Sequence, residues 1–95
     1  MTGHCWGAVW TRPGLDFKTR SLLNVAMLAV LNRPNELKLR VKGALRNGVT
    51  PAEIAEALLQ SGVYGGAPSA VDGFKRAEEA IAEYEREVSG RGNGS

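Results

Sequence analysis

The sequence predicts an all-α domain of four helices, and three observations predict it. Apolar residues recur at helical spacing in four blocks. Each block is bounded by a proline, a glycine or a residue suited to capping a helix end. No stretch alternates apolar and polar residues as a half-buried strand does. With 95 residues there is room for one small domain, and a chain this short buries only a modest part of its surface when it folds alone. Oligomerisation is the common remedy in small helical units. A single domain over residues 1–88, followed by a flexible tail over 89–95, is therefore expected.

The first helix is expected over residues 16–31. Pro13-Gly14 forms a turn, and the Asp16 carboxylate can accept from the free N–H groups of the first turn. From Leu22 to Leu31 this helix is apolar almost all the way round, so it belongs in a core or between copies of the chain. Asn32-Arg33-Pro34 ends it, because a residue before proline is driven out of helical geometry. Pro34 then opens the second helix, where its missing N–H costs nothing, and Gly48 closes it after Asn47. Its buried stripe is Leu37, Val41, Ala44 and Leu45; beside that stripe runs the row Glu36, Arg40, Gly43 and Asn47.

Thr50-Pro51-Ala52-Glu53 matches the capping box and starts the third helix, which is expected to end near Tyr64. Its apolar positions are Ile54, Ala55, Leu58, Leu59 and Gly62. Gly65-Gly66-Ala67-Pro68 breaks the chain, and the fourth helix is expected from about Ser69 to Val88. Ala70, Val71, Phe74, Ala77, Ile81 and Tyr84 form its stripe.

Composition narrows the function. The chain is 43% hydrophobic and 23% charged, with a net charge of +2 spread along it, which argues against a nucleic-acid or anionic-membrane surface. Neither a secretory leader nor an apolar run of membrane-spanning length is visible, which points to the cytoplasm. Cys5 alone can close no intrachain disulfide and form no CxxC pair, and with His4 the only histidine no metal site is expected.

The segment from Trp6 to Asp16, then TRSLLNVAMLAVLNRPNELKL, GALRNGVTPAEIAEALLQ and VYGGAPSAVDGF, resembles the carboxymuconolactone decarboxylase family in order and spacing over residues 6–84. The resemblance implies a fold of the alkylhydroperoxidase D type, assembled as a homo-oligomer, a trimer or hexamer. It implies decarboxylation of gamma-carboxymuconolactone to beta-ketoadipate enol-lactone, in protocatechuate degradation, without a cofactor. Family members usually carry a histidine four positions after the glutamate matched by Glu36; here Arg40 stands there, and Asn35 stands where a histidine is often found. Family decarboxylases also carry a helical segment ahead of the Trp6 motif, the part of the family pattern that bears on pocket closure.

The chemistry defines what the residues must supply. Losing carbon dioxide leaves an electron pair that the conjugated lactone carbonyl can take up as a dienolate. The protein needs a donor or cation at the developing oxyanion, a group that protonates carbon, and a fixed cation for the second carboxylate. Arg12 and Arg33 are candidate carboxylate clamps, or solvated loop arginines. Arg40 offers charge, but a guanidinium is a poor proton donor, and an ion pair with Glu36 is the alternative. Glu36 is a candidate proton relay, or a charge that favours a helix start. Trp6 and Trp10 suit the wall against a flat lactone, or simple packing, and Tyr64 is a candidate hydroxyl donor. Two other classes remain open: a thiol peroxidase, which the missing cysteine pair disfavours, and a non-catalytic binder of small carboxylates.

Overall fold

The computed structural model describes residues 9–94, and among them the chain forms four helices and no strand. They are α1 (Phe17–Val30), α2 (Pro34–Arg46), α3 (Pro51–Gly65) and α4 (Ala67–Gly94). Trp6, with His4 and Cys5, lies outside the described residues.

The capping chemistry accounts for the helix ends. Asp16 Oδ1 accepts from the Thr19 N–H at 2.7 Å and starts α1. At the other end Asn32 takes φ 58°, the Asn32 N–H reaches the Ala29 carbonyl at 3.2 Å, and the Arg33 N–H reaches Leu28 at 3.1 Å. This double closure satisfies carbonyls that a helix end otherwise leaves open, and asparagine is the usual alternative to glycine in it. Gly48, at φ 90°, closes α2 in the same way, with Val49 bonded back to Ala44 at 2.9 Å and its side chain tucked into the core. Both arms of the capping box form: the Glu53 N–H donates to Thr50 Oγ1 at 3.1 Å, and the Thr50 N–H donates to Glu53 Oε1 at 2.9 Å.

One residue, Gly66 at φ 90°, separates α3 from α4. The final helix therefore begins at Ala67, two residues before the expected Ser69. Its second residue, Pro68, sits where a helix has no use for an N–H. At the far end α4 runs to Gly94 rather than stopping at Val88. No proline interrupts the segment after Val88, and a glycine inside a helix costs only about 1 kcal/mol.

The core is built from Val25 and Ala29 of α1, Leu37, Val41 and Ala44 of α2, Val49 of the α2–α3 connection, Ile54 and Leu58 of α3, and Ala77 and Ala80 of α4. Full burial of a residue such as Leu58 is worth roughly 1.5–3 kcal/mol relative to exposure. Small residues let α4 approach closely. A Cβ added at Gly73 would lie 3.0 Å from Leu58 Cδ2, and one at Gly62 would lie 3.0 Å from Ala70 Cβ. Ser69 Oγ donates to the Ala29 carbonyl at 2.7 Å, tying the start of α4 to the end of α1. Asn47 Nδ2 donates to the buried Ser21 Oγ at 3.0 Å and joins α2 to α1.

A ladder of alternating charge joins α2 to α4. In order it reads Asp72, Arg76, Glu79, Lys38, Glu83, Lys42, Glu87, with neighbours 2.8–3.7 Å apart. Hydrogen bonds from Lys38 and then Lys42 hold the Glu83 carboxyl down at about 2. The hydrogen bonds that Lys42 donates to Glu83 and Glu87 raise its own pKa above the ordinary lysine value.

Two expectations about faces change. Leu59 and Val71, assigned to buried stripes, are exposed, and Ser61 takes the inward position on α3. On α1 only Ser21, Val25 and Ala29 are buried. Leu23, Met27, Val30 and Leu31 point outward, so the helix does lack a wet face.

Candidate active site

An open recess of about 430 Å³ lies between the C-terminal halves of α1 and α3. Ala26, Met27, Val30 and Leu31 form one wall, and Gln60, Ser61 and Tyr64 form the other. The walls meet here because α1 and α3 pack against each other through Val25, Ala29, Ile54 and Leu58. Their outward neighbours at helical spacing are then left facing the same gap. No charged side chain lines it. Ser61 Oγ is committed to the Leu58 carbonyl at 2.7 Å. Tyr64 is 80% exposed, and neither its hydroxyl nor the Gln60 amide has a hydrogen-bond partner among the described residues.

The charged candidates sit at the corner that follows. Leu31 lines the recess, and Asn32 turns the chain into Arg33 and the first turn of α2. Arg33 Nη1 and Glu36 Oε1 lie 4.0 Å apart, both largely exposed, so this pair contributes little to stability. Glu36 lies in the first turn of α2, where the helix dipole favours its charge. Arg40 is one turn further along, exposed but partnered. Neighbouring Asn35 faces the separate α2–α4 groove with Lys38, Leu39, Lys42 and Glu83.

The N-terminal candidates are elsewhere. The Trp10 ring packs against Phe17 at a centroid distance of 6.0 Å, at the start of α1. Arg12 is exposed on the following loop, and that loop is held by Arg20, whose guanidinium donates to the Arg12 and Leu15 carbonyls at 3.2 Å each. Phe17 and Val30 are the two ends of a 14-residue helix, so about 20 Å separates them. Within one chain the structure thus brings Tyr64 and Leu31 to the same recess and leaves Trp10 and Arg12 at the far end of α1.

Sequence reasoning missed Met27 and Gln60. Met27 was hidden in a helix read as uniformly apolar. Gln60 precedes Tyr64 by four residues, the spacing that places two side chains on one helix face, and that signal was there to be used.

The described residues form an all-α domain with an apolar recess, and comparison with known proteins gives its family. The Carboxymuconolactone decarboxylase family model matches residues 1–79, and the chain belongs to that family. It is 43% identical over 81 residues to nitrosuccinic acid decarboxylase npaB of Metarhizium robertsii, covering 85% of this chain and 57% of that protein. It is 41% identical over 76 residues to 4-carboxymuconolactone decarboxylase of Acinetobacter baylyi, covering 80% and 57%. An uncharacterized 15.0 kDa protein of Paracoccus denitrificans is 36% identical over 85 residues, covering 86% and 63%. The chain thus spans about three-fifths of the length of these relatives. No helix among the described residues is long and apolar enough to cross a membrane.

Proposed function

We propose that this chain acts as a decarboxylase of small polycarboxylates, with gamma-carboxymuconolactone (4-carboxymuconolactone) as substrate and beta-ketoadipate enol-lactone and carbon dioxide as products. The observation that carries the reading is its similarity to two proteins named as decarboxylases, at 43% and 41% identity over four-fifths or more of the chain. Nitrosuccinic acid and 4-carboxymuconolactone share a chemical feature. Each carries more than one carboxylate, and in each a nitro group or a conjugated lactone can take up the electron pair that carbon dioxide leaves behind. Protein groups then suffice to steer the reaction.

The roles follow from chemistry and position. The apolar recess receives the flat part of the substrate and keeps water from the breaking bond. The Tyr64 hydroxyl donates to the oxygen on which charge develops. Arg33 clamps the carboxylate that is retained, using the planar fork suited to it, and Arg40 adds positive charge along the same helix. Glu36 relays the proton that ends on carbon.

A second copy of the chain completes the site. The outward apolar residues of α1 and α3 form a surface that a partner would cover, and the recess is open on that side. Trp10 and Arg12, remote from the recess in their own chain, then have a place as the wall and the second carboxylate clamp of a neighbouring site. Trp6 belongs to the same motif. A trimer or hexamer meets this requirement.

The test is consumption of enzymatically generated gamma-carboxymuconolactone, followed by ultraviolet absorbance. Turnover is expected, and Tyr64→Phe is expected to lower kcat by about a hundredfold to a thousandfold, the loss of one donor to a developing charge. Absence of consumption above the uncatalysed rate by folded protein contradicts the proposal. One observation favours a second reading, a carboxylate-binding member without turnover: arginine, a poor acid, stands at position 40. Under that reading the lactone binds without being consumed, and Arg40→His gains turnover.

A further inference from the structure

We infer that Gln60 is the second donor of the recess, and that Gln60 and Tyr64 together grip the carbonyl oxygen of an unsaturated lactone whose ring lies against Met27, Val30 and Leu31. The inference rests on the decarboxylase reading and deepens it by assigning the orientation of the substrate. Three observations carry it. The two side chains lie four residues apart on α3, one above the other on the same helix face, and both line the recess. Neither has a hydrogen-bond partner among the described residues, while Ser61 between them is already committed to Leu58. All the other lining residues are apolar, so an uncharged, partly polar molecule matches the lining and a carboxylate does not. The volume of about 430 Å³ lies within the range of small-molecule sites.

The orientation follows. The lactone ring enters with its carbonyl toward α3, and the carboxylates stay at the rim, where Arg33 follows Leu31 by two residues. In the reaction the bond between ring carbon and departing carboxylate breaks. Its electron pair moves through the conjugated double bond onto the carbonyl oxygen, carbon dioxide leaves, and a proton later returns to carbon. The charge on that oxygen is largest in the transition state and the dienolate. A Gln60 N–H and the Tyr64 O–H aimed at it therefore accelerate the step more than they tighten ground-state binding.

The test separates the recess from turnover. The chain contains two methionines, Met1 and Met27, so carbon-13 labelling of methionine methyl groups gives a resonance inside the recess. Butenolide, an unsaturated lactone without carboxylates, is titrated against dihydrofuran, the analogous unsaturated ring without the carbonyl. Butenolide is expected to shift the Met27 methyl saturably and to bind about tenfold more tightly than dihydrofuran, the difference that hydrogen bonds to a carbonyl make. Gln60→Leu is expected to reduce that preference, leaving the share that Tyr64 supplies. Gln60 is exposed, so the variant keeps the fold, checked by its circular dichroism. An unmoved Met27 methyl, equal binding of the two rings, or an unchanged preference in Gln60→Leu overturns the inference. In turnover, Gln60→Leu lowers kcat with KM little changed; a loss confined to KM also contradicts it. If the wild-type chain binds butenolide at Met27 but consumes no carboxymuconolactone, the decarboxylase reading fails and the lactone site stands.

Discussion

Single glycines separate the helix propensity of the backbone from the fit of the core. Gly43 and Gly73 both lie inside helices, where alanine is favoured by about 1 kcal/mol. Around Gly43 nothing approaches a built Cβ within 4 Å, so Gly43→Ala is expected to raise stability by up to about 1 kcal/mol. At Gly73 the added carbon meets Leu58 Cδ2 at 3.0 Å and Ala29 Cβ at 3.5 Å. Overpacking there costs about 1–3 kcal/mol, which outweighs the propensity gain, so Gly73→Ala is expected to lower the urea midpoint while Gly43→Ala raises it. Matching shifts of the same sign would show that the α4 contact is looser than described. The sequence exposed Gly43 as a gap in a polar row. It could not expose Gly73, because what matters there is a leucine fifteen residues away on another helix.

At the scale of the element, the charge ladder makes the α2–α4 contact depend on pH, and the sign follows from Glu83. Its carboxyl is held at about 2, below the ordinary value of 4.5, so the folded state favours the ionised form. The stabilisation is complete above pH 4.5 and is lost as pH falls through about 2. Glu83→Gln is expected to lower the urea midpoint at pH 7 and to make progressively less difference as the pH approaches 2. A gap between variant and wild type that stays constant down to that pH contradicts the ladder. Thr50→Ala, which removes the arm accepting from the Glu53 N–H, is expected to cost about 1 kcal/mol, as a drop in the urea midpoint. Helix starts and stops were legible, because proline, glycine and capping residues act locally. Asp16, Pro34, Gly48 and Thr50 all do what their chemistry suggests. The ladder was not legible: Lys38 and Glu83 are 45 residues apart, and only the tertiary fold makes them neighbours.

For the molecule as a whole, the decisive feature is a surface that remains apolar after the core is made. Met27 is 53% exposed and Val63 74% exposed on adjoining helices, alongside Leu23, Leu31, Leu59 and Tyr64. The proposed assembly covers this surface. Val63→Glu is therefore expected to leave the helical circular dichroism intact and to shift sedimentation toward a smaller species. Unchanged sedimentation would place the subunit contact elsewhere. The sequence singled out Tyr64, which lines the recess, and placed Trp10 and Arg12 directly ahead of α1; it could not show that the length of α1, about 20 Å, lies between those two residues and the recess, because that depends on how α1 packs against α3.

Carbon dioxide release is the most direct measure of the central claim. The folded chain is supplied with gamma-carboxymuconolactone, and evolved carbon dioxide is counted against lactone consumed. One carbon dioxide per lactone, at a rate well above the uncatalysed reaction and reduced in Tyr64→Phe, is the predicted result. Lactone that persists, or disappears without carbon dioxide, contradicts the assignment of this chain as a decarboxylase.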